Sequence, residues 1–336
     1  MTAKVSRQRT IQVVHVAVGA IVKDGQVLLA KRALHQHQGG LWEFPGGKVE
    51  AGETLVQALA RELLEELDIQ VLSTEALIQI QHDYGDKQVL LDVLRVTDFK
   101  GEPKGQEGQP LEWVPLSQLT EYAFPAANTP IVNALTLPRV MAITPSTGSK
   151  EHVFQFCVNA LDRGAGGIQL RSPQLPFDDI TWVYQQLRSL PMASKPVPQA
   201  CPVWVNSTHL VNAKNQWIHE RCQIFTAIHV CSRHFALVPV LLDKSNIDRH
   251  KEYTFTASCH NAEQLIQAAQ FARAAYLSPV KTTTSHPKSA SLGWPTFGRL
   301  IAKAHLPVYA LGGLKLTDYD TAIAHYAQGI AGISCF

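Results

Sequence analysis

Little in this sequence invites a partner of opposite charge. Charged residues are 17% of the chain and the net charge is +2. That leaves no bulk electrostatic case for nucleic acid or an anionic membrane. Cysteine is scarce as well. The six are Cys157, Cys201, Cys222, Cys231, Cys259 and Cys335, with no C-x-x-C pair and none in the first 156 residues. Free, mostly buried thiols are the simplest reading, which suits a reducing cytoplasm. Long hydrophobic runs are missing. The one after the basic start, MTAKVSRQRT, is interrupted by His15 and reads as a first strand, not a signal peptide or a membrane span. Zinc spacing is missing too: there is no H-E-x-x-H, and His35 and His37 lie two apart in a loop. No repeat or low-complexity segment interrupts the chain. A soluble cytoplasmic protein is expected.

What is present is apolar material for more than one core. The 336 residues are 46% hydrophobic, which sets a prior of two domains. Residues 11–31 read as strand, Asp24-Gly25 turn and strand. A helix is expected over 53–67, a strand over 89–99, a Gly/Pro loop over 101–110, then a short strand in LEWVPL and a helix-like SQLTEY. From Arg139 the pattern becomes strand–helix alternation. Strands are expected in RVMAIT, GIQLR, VWVN, WIH, YTFTAS, AAYLSPV, PVYALGG and GIAGIS. Eight such units suggest a closed parallel barrel. Residues 231–251 break the rhythm and read as an insertion.

The expected helix over 53–67 carries an unusual face. Thr54 followed by Gln57 makes a capping-box start. At 3.6 residues per turn, Glu62, Glu65 and Glu66 share an arc of roughly 100°. Val56, Leu59, Ala60, Leu63, Leu64 and Leu67 occupy the neighbouring arc. Like charges three and four residues apart destabilise a helix by a few tenths of a kcal/mol per pair, about enough to need a reason. Only Arg61 is near. A hard divalent cation resolves the conflict, because Mg²⁺ takes oxygen ligands. Gly46 and Gly47 just upstream permit close approach to a ligand.

From Gly47 the chain reads five residues, Glu53, seven residues, then R-E-L-L-E-E-L-D-I. This resembles the Nudix box, G-x5-E-x7-R-E-U-x-E-E-x-G-U, with Asp68 in place of the final Gly. Asp accepts the left-handed conformation that this position demands better than most residues. The resemblance implies an α/β/α sandwich that hydrolyses a nucleoside diphosphate linked to another group. It implies Glu62, Glu65 and Glu66 as ligands of Mg²⁺ (or Mn²⁺), with the Gly46 carbonyl as a further one. Glu53 and Arg61, with Gly47, form the structural part of the box. Glu53, Glu65 and Glu107 all stand as candidates for the catalytic base.

Over residues 13–136 the stretches VAVGAIV, LLAKR, LWEFPGGKVEAGET, GEPKGQEGQPLEW and FPAANTP resemble the MutT branch of that family. That branch removes oxidised guanine nucleotides. The resemblance implies Glu107 as another metal ligand or catalytic carboxylate, Arg32 facing a phosphate, and Phe44, Tyr84, Lys87 and Asn128 around the base. Tyr84 and Lys87 replace the aromatic and the Arg of that branch. An amide carbonyl at Asn128 would accept the N7 proton that 8-oxoguanine has and guanine lacks, a mismatch worth discrimination of about 10⁴ when buried.

Residues 137–336 resemble the thiamine-phosphate synthase/TenI family through GAGGIQLRSP, VWVNSTHLVNA, TFTASCHNAEQL, YLSPVKTTTSHP and LPVYALGGL. This implies a (β/α)₈ TIM-barrel-like domain with a phosphate site at Gly312, Gly313, Ser334 and Arg171. Ser207 stands where the family has an acidic metal ligand, and Pro173 where it has a basic residue. The chain stops at Phe336 without a final helix. The barrel is therefore expected not to act as a synthase, which leaves either a phosphate-bearing ligand or a supporting role. The expected function is Mg²⁺-dependent hydrolysis of 8-oxo-dGTP to 8-oxo-dGMP and pyrophosphate. The alternatives are clean-up of thiamine-related pyrophosphates, and a nucleotide- or metabolite-sensing regulator.

Overall fold

The computed structural model describes residues 13–35, 38–83, 88–190, 201–243, 252–283, 290–333 and 335–336. His37, Tyr84, Lys87 and Ser334 lie outside them.

The N-terminal half is built on one mixed sheet. Its elements are β1 (Val13–Lys23), β2 (Gln26–Lys31), β3 (Trp42–Glu43), β4 (Gly46–Lys48), α1 (Leu55–Leu67), β5 (Gln70–Asp83), β6 (Gln88–Lys100), β7 (Leu111–Pro115) and α2 (Thr129–Thr136). Asp24 and Gly25 both take positive φ, 50° and 76°, as a two-residue hairpin turn requires. The sheet order is β3-β2-β1-β6-β5, with β4 on β1 and β7 on β2. β1 and β6 run parallel in its centre. Alternation along β1 sends Ala17 and Ile21 to α1, and Val18 and Ala20 to the face covered by α2. The expected three-layer sandwich follows from that two-sided burial. SQLTEY forms a 3₁₀ turn within Leu116–Glu121.

The C-terminal half is a closed barrel of parallel strands. In chain order these are β8 (Val140–Ile143), α3 (Lys150–Asp162), β9 (Gly167–Leu170), α4 (Phe177–Ser189), β10 (Val203–Asn206), α5 (His219–Cys222), β11 (Ala227–Val230), α6 (Val238–Leu242), β12 (Thr254–Cys259), α7 (Ala262–Ala268), β13 (Ala274–Leu277), α8 (Gly293–Ile301), β14 (Val308–Leu311), α9 (Tyr319–Ala324) and β15 (Gly329–Gly332). β15 returns to β8 and closes the ring.

Two expectations are corrected. WIH is not a barrel strand. Trp217 makes only an isolated bridge to Val211, buries its indole and donates Nε1–H to Leu237 O at 2.7 Å. The strand is the later AIHV, whose four residues sit between β10 and β12. The described part of 231–251, up to Asp243, is also not a plain insertion; residues 244–251 lie outside the described residues. Ser232–Leu237 is a 3₁₀ turn leading into α6, and Val238 and Leu241 pack into the barrel core. This is the helical layer between β11 and β12, so the β/α rhythm is kept.

The halves are packed together. Leu137, from the connection, joins Met141, Trp204, Tyr276 and Tyr309 in the cluster that fills the barrel. Tyr309 OH donates to Pro138 O at 2.5 Å. Arg139 pairs with Glu75 at 3.1 Å, and Tyr326 OH donates to the buried Asp92 at 2.6 Å. These contacts gather at the N-terminal ends of the barrel strands, away from the strand ends that carry Gly312 and Gly313.

Candidate active site

The acidic helix is fixed at both ends. Thr54 Oγ1 accepts from Gln57 N at 3.3 Å, and Gln57 Oε1 accepts from Thr54 N at 2.9 Å. Asp68 sits in the left-handed region at φ 58°, and its N–H donates to Leu64 O at 3.0 Å. One stripe, Ala58, Leu59, Leu63 and Leu67, is buried. Val56 and Leu64, expected in that stripe, are 49% and 55% exposed. Burial therefore covers a narrower arc than the apolar residues do.

The twin glycines give room to two different neighbours. At Gly46, φ is 145°, and a Cβ would lie 2.2 Å from Ala17 O. At Gly47, a Cβ would lie 2.1–2.3 Å from the Glu62 carboxylate. Gly46 thus lets β4 pair with β1, while Gly47 leaves the seat that Glu62 occupies. Arg61 ties loop to helix. Its Nε and Nη2 donate to the two Glu53 oxygens at 2.8 and 3.0 Å, Nη2 also to Lys48 O at 3.0 Å, and Nη1 to Glu62 at 2.8 Å. The fork and the Glu50 N–H hold the Glu53 carboxyl down to about 2.

The loop over 101–110 docks on the end of α1. Lys104 N donates to Leu67 O, Gln106 N to Glu66 O, and Gln109 Nε2 to Glu66 O. Glu107 is exposed on that loop, its N–H bonded to Gln109 Oε1 at 2.9 Å. The Glu66 carboxylate accepts from Gly46 N at 3.2 Å. Burial raises its pKa to about 7 against that bond, and the charges of Glu107, Glu62 and Glu43 add to the rise. Glu43 was not singled out in the sequence. It is pushed up by burial and by Glu107, and drawn down by its ion pair with Arg32. Its only sequence signal is its place in LWEFPGG. Glu65 is 64% exposed, 3.8 Å from Arg61.

Carboxylates gathered around a buried Glu66, whose raised pKa their charges push further up, are what a hard divalent cation would relieve. Among the described residues, no three His, Cys, Asp or Glu side chains already stand together as a metal cage. Glu62 is held by Arg61 and Glu66 by the Gly46 N–H, so a cation would compete with protein donors for both. The donor set fits the ion, and the side chains would have to converge on it.

On the sheet's other face, Phe44 is 6% exposed and stacks on Phe124 at 5.5 Å and 7°. It serves as an apolar wall. Asn128 ends a 3₁₀ turn and occupies the N-cap of α2, with no side-chain capping bond. The turn role that loop asparagines commonly take is therefore not what holds it. Arg32, expected to face a phosphate, is engaged with Glu43.

The NUDIX domain family profile matches residues 17–134. The 8-oxo-dGTP diphosphatase of Escherichia coli is 38% identical over 121 residues, which are 36% of this chain and 94% of that protein. The chain belongs to the NUDIX family. Its Nudix domain is also 36% identical to the CTP pyrophosphohydrolase of Escherichia coli, over 37% of this chain and 92% of that one. A solved structure from a study of MutT from Aliivibrio salmonicida and Vibrio cholerae shares 40% identity, covering 37% of this chain and 97% of the other, at TM-score 0.34. Beyond the Nudix domain, the thiamine monophosphate synthase family profile matches residues 218–336.

In the barrel, Gly312 and Gly313 take positive φ, 103° and 67°, against the Pro279–Thr283 segment. Lys281, beside them, is paired with Asp318 at 2.6 Å. Arg171 is exposed. Asn206 and Ser207 spend their polar atoms inside the fold: Asn206 Oδ1 accepts from Thr208 N at 3.1 Å, and Ser207 Oγ bonds His234 Nδ1 at 2.8 Å.

Proposed function

We propose that the Nudix domain hydrolyses 8-oxo-dGTP to 8-oxo-dGMP and pyrophosphate with Mg²⁺ bound at Glu62, Glu65, Glu66 and Glu107, and the Gly46 carbonyl. The observation that carries this reading is the meeting of α1, the Gly46–Gly47 turn and the 101–110 loop at Glu66, whose carboxyl burial raises to about 7, with the charges of Glu107, Glu62 and Glu43 adding to the rise. The bound ion would screen the triphosphate and lower the pKa of a coordinated water. The chain's own residues do the rest. Arg61 holds Glu53 and Glu62 in one frame, so loop and helix keep their spacing. Glu53 is a poor base, because a carboxyl held near 2 gives little drive for taking a proton at neutral pH. That leaves Glu65 and Glu107 for proton removal. Asn128 reads the base edge and Phe44 supports the base plane. Arg32 reaches a phosphate by exchanging its bond to Glu43.

The 8-oxo-dGTP diphosphatases among the relatives favour this substrate, and the CTP pyrophosphohydrolase among them marks a competing one. The barrel's likeness to thiamine monophosphate synthase supports a second reading, clean-up of thiamine-type pyrophosphates. A panel of 8-oxo-dGTP, dGTP, CTP and thiamine pyrophosphate, each with and without Mg²⁺, separates them. Turnover of 8-oxo-dGTP far above the others, lost without the ion, is expected. Equal rates on 8-oxo-dGTP and dGTP would remove the base-reading role.

A further inference from the structure

The barrel does more than sit beside the Nudix domain. Its donors converge on α2, the helix whose N-cap is Asn128. Arg273, which precedes β13, donates Nε–H to Asn133 Oδ1 at 3.0 Å and Nη2–H to Thr136 Oγ1 at 2.9 Å. Gln328, which precedes β15 and is 1% exposed, donates Nε2–H to Ala134 O at 3.0 Å and Leu137 O at 3.1 Å. The Ala134 carbonyl belongs to the last turn of α2 and Leu137 is its C-cap, a place where acceptors lack intrahelical partners. α2 has eight residues, so it is about 12 Å long and too short to hold its shape without tertiary contacts. The sheet supplies contacts on one side through Ile131, Val132 and Ala134. The barrel supplies the polar clamp at the far end.

We propose that Arg273 is a positioning residue for base selection: through Asn133 and Thr136 it sets the axial position and rotation of α2, and so the placement of Asn128. This rests on the reading of Asn128 given above. The mechanism is leverage along a rigid element. A helix released at one end can rock or slide by a fraction of an ångström, and a hydrogen bond to a base edge is sensitive to such a shift. Apart from Gln328, which grips only main-chain carbonyls at the helix end, two further inter-domain contacts end elsewhere. Tyr326 ends on Asp92 in β6 and Arg139 on Glu75 in β5. They join the domains without holding the base-reading helix.

The test is the ratio of kcat/KM for 8-oxo-dGTP to that for dGTP, measured on full-length Arg273→Ala, Arg273→Lys, Tyr326→Phe and Asn128→Ala. Arg273→Ala is expected to lower the ratio about threefold to thirtyfold, through KM for 8-oxo-dGTP more than through kcat. Arg273→Lys, keeping one of the two bonds, should restore part of it. Tyr326→Phe, which loosens the interface elsewhere, should leave the ratio unchanged. If Arg273→Ala slows both nucleotides equally, or Tyr326→Phe lowers the ratio as much, the residue is a plain brace and the proposal fails. If Asn128→Ala collapses the ratio while Arg273→Ala does not, the proposal fails alone. An unchanged ratio in Asn128→Ala removes the base-reading assignment and this proposal with it.

Discussion

Gly47→Ala isolates what the second glycine of the turn is for. Its backbone φ is not in the left-handed region, so alanine meets no conformational penalty there; the conflict is spatial. The new Cβ would fall 2.1 Å from Glu62 Cδ and 2.2–2.3 Å from its two oxygens. Ordinary contact is about 3.5 Å, so the carboxylate must retreat by more than about 1 Å. Glu62 can do so, because its side chain is flexible and 17% exposed. Retreat removes it from Arg61 Nη1, now at 2.8 Å, while the Arg61 bonds to Glu53 and Lys48 O stay in place. The fold should therefore survive almost unchanged. Function should not, since a misplacement of about 1 Å at a reacting centre costs about a hundredfold. Steady-state hydrolysis of 8-oxo-dGTP, paired with thermal unfolding of the same preparation, measures both sides. An activity within about threefold of wild type would show that Glu62's seat on Gly47 is incidental, and the site model would lose its first ligand.

Other consequences follow from the same geometry. Glu66→Gln should lower turnover at least about a thousandfold, roughly 4 kcal/mol of barrier, with circular dichroism unchanged. The same variant carries a pH signature in metal-free protein. Because Glu66 ionises near 7 when folded and near its ordinary value when unfolded, its charge opposes folding progressively as pH rises from about 4.5 to about 7. Glu66→Gln should thus melt higher than wild type at pH 8 and equal to it at pH 4; the opposite order would contradict the raised pKa. Arg61→Lys keeps the charge and loses the fork, so Glu53 should titrate nearer its ordinary value by NMR, with activity down about tenfold to a hundredfold. Asp68→Gly should raise stability by about 0.5–1 kcal/mol in denaturant melts, since the cap already sits in the left-handed region.

The acidic helix was legible because its signals are local. Capping, the i, i+3, i+4 spacing and the Asp68 stop lie within fifteen consecutive positions and depend on backbone geometry alone. Glu43 was not legible. It joins the carboxylate array only because β3 pairs with β2 and brings it toward α1 and the 101–110 loop, and no spacing in the chain encodes that. β5 also carried no clear signal. Its alternation is broken by register shifts between Val71 and Ser73, Ser73 and Thr74, and Ala76 and Ile78, and bulges of this kind scramble a period-2 pattern. In the barrel the strand rhythm was readable except where Trp217 imitated a strand. A buried aromatic anchored by its own hydrogen bond looks the same in sequence as one in a ladder.

Leu137 carries a consequence for how the two halves came to depend on each other. A barrel of repeated units ordinarily stoppers its own lower end, whereas here that stopper arrives on the exit from a helix of the neighbouring domain. Loss of either half would uncap apolar side chains in the other. A barrel cut free of Leu137 should therefore expose part of its apolar filling at that end.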